Sequence, residues 1–415
     1  MTHSLRSLVL GLTLGCPIAL TISLRADSSP VSPVSTMLAS LFERYDREPD
    51  GPAKDTLAGR IDAVAHQRYA TVSRLYWHTD LESARAAARE QGRPILHLRM
   101  LGNLDEDLSC ANSRLFRTTL YANQDVSRFL RERFVLYWSS ERPVPRVTID
   151  YGNGRKLERT ITGNSAHYVL DEEGNVLDVL PGLYAPAAFL RELGGSLALA
   201  ARVRAASSNQ HAKLIVDYHK EQLIAVTRVW ARLAGTPGIP LLAAARVESP
   251  LAAAQLATTT KIATERTDLR YLARELVQVW SESQVEMWYA AGHVVYGIGD
   301  RKATIPSGRV LDDVSRALVV RLHNEGPREL RATGPQLDAM IARLEQSLVA
   351  DSALNQLRLR PQIAREIVRR GGRIDFATLN AWIYAEVFRS PRQDEWLGLL
   401  PRDVFTALPG DGVVN

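Results

Sequence analysis

The chain holds two cysteines in 415 residues, Cys16 and Cys110, and Cys110 is the side chain whose placement points to covalent chemistry. It stands at the start of a predicted helix that passes through Leu115, Phe116, Thr119 and Leu120. A thiol at a helix amino end faces unpaired N–H groups and the positive end of the dipole. Both stabilise thiolate and lower its pKa below the free value of about 8.5. Asp105, Glu106 and Asp107 come immediately before, and their charge acts in two opposed ways: it favours the helix start and repels a thiolate.

Other constellations are weaker. His78, His97 and His167 could converge near a sheet, but a hydrogen-bonded histidine at a strand end is the expected outcome. His211 and His219 fall on a similar helical face with no carboxylate or third imidazole at ligand spacing, so solvated surface is expected rather than a metal site. Neither a metal nor a cofactor is expected. No Gly-x-Ser-x-Gly, phosphate loop, His-Glu-x-x-His or dinucleotide fingerprint is present, which leaves hydrolase, kinase, zincin and Rossmann readings without support.

These groups must be positioned by an ordinary globular chain, with 46% hydrophobic and 23% charged residues and a formal charge of +5. The arginines are dispersed and locally balanced by acids. Even the near-cluster Arg301, Lys302 and Arg309 lacks interleaved aromatics, so nucleic acid is not an expected partner. Residues 1–26 read as a signal peptide: Arg6 forms the positive region, Leu8 to Leu24 is mostly apolar, and Ala26 suits cleavage. An uncleaved anchor is the second reading, and a lipid-modified Cys16 is a third, disfavoured because apolar residues continue after it. The expectation is an exported, periplasmic or extracytoplasmic protein that touches membrane only through an uncleaved N-terminal segment. Cleavage would leave one thiol, which cannot close a disulfide within the chain.

Asp27 to Ser35 is a Ser/Pro linker, and Met37 to Tyr45 and Thr56 to Leu75 form a helical preface, so residues 27–75 precede the main domain. Thr79 and Glu82 form a capping box for a helix running to about Gln91. Ile95 to Met100 is a buried strand, the Cys110 helix breaks near Asn123 into a helix from Val126 to Arg133, and Phe134 to Trp138 is the next strand. Val147 to Tyr151 and Leu157 to Ile161 flank Gly152-Asn153-Gly154 as a hairpin. A second hairpin joins His167 to Leu170 and Val176 to Leu180, before a helix starting near Pro186.

The stretch WHTDLESARAAAREQGRPILHL, the cysteine at a helix start, RFLRERFVLYW and VLDEEGNVLDVLPGL resemble the thioredoxin-like families of exported bacterial proteins. The resemblance covers residues 76–195 and implies an α/β thioredoxin-like domain, a central mixed sheet flanked by helices. Where those families carry Trp-Cys-x-x-Cys, this chain has Ser109-Cys110-Ala111-Asn112-Ser113, so only the first cysteine carries over and the motif becomes Cys-x-x-Ser. The proline that faces the cysteine in those families should precede His167, where Ser165-Ala166 stands, and the Gly152 to Gly154 hairpin replaces a helix.

For Cys110 the resemblance implies monothiol exchange with a client protein or small thiol. Ser113 would hydrogen-bond the thiolate, and an external thiol would resolve the mixed disulfide because a hydroxyl is too poor a nucleophile to do so. The alternative is a noncatalytic binding or assembly module in which Cys110 is a buried small hydrophobe.

Residues 196–415 read as an all-α domain. One stripe runs through Leu214, Tyr218, Leu223, Val226, Trp230 and Leu233, a second through Leu269 to Trp280, and a third through Leu337, Met340, Ile341, Leu344 and Leu348. Trp280 and Trp288 are expected in core packing rather than in a ligand groove. Pro391 to Pro409, with Trp396 and Phe405, is expected to lie across the bundle or to offer a docking surface.

Overall fold

The computed structural model describes residues 33–161, 163–234, 282–297, 309–390, 392–393, 395 and 406–409. The signal segment with Cys16, most of the Ser/Pro linker, the stripe ending at Trp280, Arg301, Lys302, Trp396 and Phe405 lie outside them.

The preface is two helices, α1 (Pro33–Arg47) and α2 (Pro52–Ala65), closed on Leu38, Leu41, Leu57 and Ile61. The single helix expected from Thr56 to Leu75 is interrupted. Its chain turns at His66 and Tyr69, both in the left-handed region, before the short α3 (Ala70–Ser73). Asp62 stabilises this turn by accepting the backbone N–H groups of Tyr69 (3.1 Å) and Ala70 (2.8 Å), donors that a continuous helix would have satisfied itself. The turn is also tied to the next segments of chain, with the Trp77 indole donating to Gln67 at 2.7 Å and the Trp138 indole to the His66 carbonyl at 2.9 Å.

Helix α4 (Leu81–Gln91) starts one residue later than the capping box predicts. Asp80, not Thr79, is the cap, because its carboxylate accepts the Ser83 N–H at 2.7 Å. Strand β1 (Ile95–Leu101) is next, then α5 (Ala111–Leu115), which runs into a π-helical turn at Phe116–Leu120. Asn123 caps α6 (Gln124–Arg133), and β2 (Val135–Arg142) extends four residues beyond the expected Trp138. The Gly152 and Gly154 hairpin is β3 (Arg146–Asp150) with β4 (Lys156–Thr160), both glycines at positive φ. Finally come β5 (Ala166–Leu170), β6 (Val176–Pro181), α7 (Pro186–Ala205) and α8 (Ser208–Ala234).

The main sheet is four-stranded and mixed, in the order β2-β1-β5-β6. β2 lies parallel to β1, β5 antiparallel to β1, and β6 antiparallel to β5, while β3 and β4 form a separate ribbon. All residues of β5 and β6 are buried, as expected of strands covered on both faces. Alternation places His167 on one face, against Phe116, Tyr121 and Phe189, and His97 with Tyr168 on the other, against Phe376. His97 and His167 therefore do not converge.

The C-terminal region is helical. Alongside α8 it contains helices Glu282–Tyr296, Asp313–Asn324, Pro335–Leu354, Arg360–Arg369 and Phe376–Trp382, with π turns at Asn355–Leu359 and Ile383–Val387. The α8 stripe buries Tyr218, Val229 and Leu233, and Trp288 is fully enclosed in core packing. His219, expected at the surface, is instead buried, because α8 packs on α7 and on helix Arg360–Arg369 and brings its Nε2 to 3.0 Å from the Leu177 carbonyl of β6.

One connected core runs from Leu75 and Trp77 in the first half to Tyr384 and Phe388 near the end. Within it, Arg360 is enclosed between sheet and helices. Its guanidinium bonds Asp178 of β6 at 2.6 Å, Glu192 of α7, and the Tyr218 hydroxyl of α8 at 3.1 Å. Removing one member of a buried pair leaves the other charge unpaired, a loss of about 3–5 kcal/mol. Arg360→Ala is therefore expected to lower unfolding free energy by about that much, and urea unfolding monitored by tryptophan fluorescence checks it.

Candidate functional site at Cys110

Cys110 sits where the sequence places it, as the N-cap of α5. Its Sγ accepts the Ser113 backbone N–H at 3.4 Å, and its own N–H is bonded to the Leu101 carbonyl at 3.3 Å. The chain reaches that cap through a loop from Gly102 to Ser109. Gly102 has φ +71°, and a Cβ on it would lie 3.3 Å from Ser109 Cα and 3.2 Å from Val144, so the close fold-back of the loop depends on glycine there.

The loop is held from inside by Arg117. One residue past the start of the π turn, it is 2% exposed and donates to the carbonyls of Leu104 (2.9 Å), Glu106 and Asp107 and to Ser109 Oγ (3.1 Å). Burial lowers its pKa to about 10, against opposing contributions from Tyr69, Asp107 and Cys110. It thus remains a cation at neutral pH, directly beneath the loop that carries the thiol. The preceding acids do not gather on the thiol: Asp107 pairs with Arg68 at 2.9 Å, and Glu106 accepts from Asn103 at 2.7 Å. Sequence reasoning passed over Arg117, since nothing in RLFRTTL distinguishes it from the other arginines until the loop is folded around it.

Two expectations for this site change. Ser113 does not offer its hydroxyl to the thiol; its Oγ accepts from Ser109 Oγ at 3.0 Å, and only its backbone N–H addresses Sγ. The thiol is also sealed, for Cys110 is 0% exposed, as are Ser109, Ala111, Asn112 and Ser113. Ser165, at the position where the resemblance anticipates a proline, faces it with Oγ 3.6 Å from Sγ. Thr160 of β4 closes another side, donating to the Ser109 carbonyl at 2.8 Å. The site brings together Cys110, Ser113 and Ser165 and puts them beneath side chains.

Apart from the Arg117 guanidinium, which bonds Ser109, the surroundings are hydroxyl-rich. Tyr121, held protonated because burial raises its pKa well above the usual value, shares a hydrogen bond with His167 Nε2 at 2.6 Å. Burial depresses His167 from 6.5 to about 3. No group of three or more metal-ligating side chains occurs among the described residues. Two surface clefts, of about 760 and 690 Å³, lie at the other end of the sheet, around Pro94, Asp171, Val203 and His211. Cys110 lines neither of them.

Compared with known proteins, the chain matches no protein family, no curated protein and no solved structure. The geometry of the site is therefore the basis for its chemistry.

Among the described residues burial lowers the pKa of four histidines, His78, His97, His167 and His219, with Asp80 partly opposing the effect on His78 and Asp178 that on His219. Unfolding returns each to about 6.5, so below that pH the unfolded chain binds protons that the folded chain refuses. Stability is then full above pH 6.5 and falls as pH drops, by about 1.4 kcal/mol per pH unit for each histidine still neutral. For His167 the window closes at about pH 3. Urea midpoints measured from pH 8 to pH 4.5 should fall steadily below about 6.5, with a shallower slope in His167→Gln.

Proposed function

We propose that the chain is an exported, thioredoxin-like protein that serves as a noncatalytic binding or assembly module. Support for the thioredoxin-like part comes from the order of the elements: a helix, a central strand, a cysteine-capped helix, a parallel neighbour, then an antiparallel pair and a closing helix. The observation that carries the noncatalytic part is the sealing of Cys110. Exchange requires a thiolate sulfur to approach a disulfide sulfur in line, and an approach path is what a fully buried sulfur lacks.

A second reading is favoured by one specific feature, the position of Sγ at a helix amino end with an N–H directed at it. On that reading the Cys110 thiolate attacks a client disulfide, forming one S–S bond while the client's other sulfur leaves as thiolate. An external thiolate then attacks the client sulfur of the mixed disulfide, forming a new S–S bond to the client as Cys110 leaves as thiolate. Ser113 contributes its backbone N–H to the thiolate, while its hydroxyl takes no part in either step.

Titration of the native protein with a chromogenic disulfide reagent at neutral pH separates the two. The module reading expects slow release of chromophore until denaturant is added, and an unchanged fold in Cys110→Ser. Stoichiometric reaction within seconds in native buffer overturns it in favour of exchange.

A further inference from the structure

The β3–β4 ribbon stands apart from the main sheet and carries an apolar face of its own. Its register sets Ile149 opposite Leu157, and alternation brings Val147 onto the same face. All three are half-buried, and none belongs to a hydrophobic cluster among the described residues. The ribbon is fastened at its root, where the Ile161 N–H donates to the Pro145 carbonyl at 3.2 Å and Thr160 Oγ1 to the Ser109 carbonyl at 2.8 Å. Beyond the root its side chains are mostly exposed, and at the tip Tyr151 is 56% exposed. Its cations, Arg146, Arg155, Lys156 and Arg159, outnumber its acids, Asp150 and Glu158. Lys156 pairs with Asp150 at 3.1 Å, whereas the Arg155 guanidinium has no counter-charge among the described residues. A two-stranded ribbon is marginal by itself in water, so covering its apolar face stabilises it.

At the opposite end of the sheet, the cleft of about 760 Å³ offers the converse surface. Its floor is apolar, with Leu177 and Val203 buried and Leu197 half-buried, and its rim is acidic, with Asp171, Glu172 and Glu173. Asp171 is committed to the β5–β6 turn, accepting the N–H groups of Glu173 at 3.0 Å and Asn175 at 2.7 Å. The carboxylates of Glu172 and Glu173 have neither a counter-charge nor a hydrogen bond among the described residues. Arg204, the cation on this rim, is turned to the Gly92 carbonyl. Strand β1 separates the two surfaces by about 20 Å: the Leu101 carbonyl at its end holds Cys110 beside the ribbon root, and Pro94 before its start lines the cleft.

We infer that the β3–β4 ribbon of one copy docks in this cleft on a second copy of the chain, its apolar face on the floor and Arg155 and Lys156 against Glu172 and Glu173. Charge complementarity selects this occupant: an apolar surface with excess cations meets an apolar floor with two unanswered carboxylates. Two ribbons packed on each other would instead bring two net-positive surfaces together and leave Glu172 and Glu173 unpaired. Because the contact joins two different patches, it is head-to-tail, and it closes into a ring or continues as a filament. The inference deepens the module reading by naming its partner, a second copy, and rests on that reading.

The experiment is sedimentation equilibrium of the full chain over a range of concentrations at neutral pH. The expected result is a mass that rises with concentration at low salt and returns to that of the monomer in about 1 M salt, where the screening length is about 3 Å. The double variants Arg155→Glu/Lys156→Glu and Glu172→Lys/Glu173→Lys should each weaken association about tenfold, with urea midpoints unchanged because these side chains lie on the surface. Mixing the two variants should restore association, since the reversed ribbon then meets the reversed cleft. A monomer at every concentration overturns the contact. So does association that survives reversal of Glu172 and Glu173, or a mixture that fails to recover. A monomer whose thiol stays unreactive removes the contact and leaves the module reading, whereas a rapidly reacting thiol removes that reading whatever the mass.

Discussion

The buried guanidinium of Arg360 is the constraint on which the architecture turns. It comes from the helical C-terminal region, yet its counter-charges, Asp178 and Glu192, belong to β6 and to the helix after it. Withdrawing three charges from water is costly, and the arrangement is tolerable because nearly every lone pair is used. Asp178 accepts from Ser196 at 2.6 Å, from Tyr218 at 2.8 Å and from the Val179 N–H at 2.7 Å, besides Arg360. Despite complete burial, which alone would raise it, the Asp178 carboxyl is held below its ordinary pKa by Arg360 and these donors. A group this specific admits one seating of the helices on the sheet, whereas apolar packing alone would tolerate several.

Once the helices are seated there, the rest of the Cys110 end is determined. Asn355, from the π turn before Arg360, donates to the Leu183 carbonyl at 2.7 Å, and Ser352 accepts the Ala185 N–H at 2.7 Å. Gly182, just before these two contacts, has φ +74°, and a Cβ there would lie 2.6 Å from the Asn355 amide, so the close approach depends on a residue without a side chain. Gly182 in turn donates to the Ser165 carbonyl at 2.8 Å. The chain of contacts from Arg360 to the thiol is short and continuous: β6, the Gly182 turn, Ser165, then Sγ.

Much of this was readable from residue patterns, and the failures have physical causes. Strands were legible because β1, β5 and β6 are short apolar runs bounded by Gly, Asn and Pro, and the β3–β4 turn because two glycines must take positive φ. The α4 cap was misplaced by one residue because Thr79 and Asp80 are both good caps and only the folded backbone shows which oxygen meets Ser83. Position 110 as an N-cap was legible, since a helical pattern begins directly after it. Its exposure was not, because burial here comes from Thr160 and Ser165, which only the folded chain brings to it. The charges most consequential for the fold, Arg117, Asp178 and Arg360, were invisible among many arginines and acids. Local periodicity marks where apolar side chains go, whereas a buried charge is defined by partners that only tertiary structure supplies.

The chemistry of a solitary thiol bears on why it is enclosed. Cys110 is the one cysteine among the described residues, and oxidation of an exposed sulfur leads to a disulfide with another thiol or up the ladder of sulfur oxyacids. Both require the sulfur to reach solvent. A helix amino end would by itself make such a thiol more reactive by favouring its anion, so the geometry that suits exchange is also the one most in need of shielding. Packing the Asn164–Ser165 loop against Sγ and fastening that loop with Tyr384, Phe388 and Ser390 meets the need without altering the cap itself. The N-cap and the packing against it are therefore separable features, one set by the local sequence around Cys110 and the other by how Thr160 and Ser165 return to it.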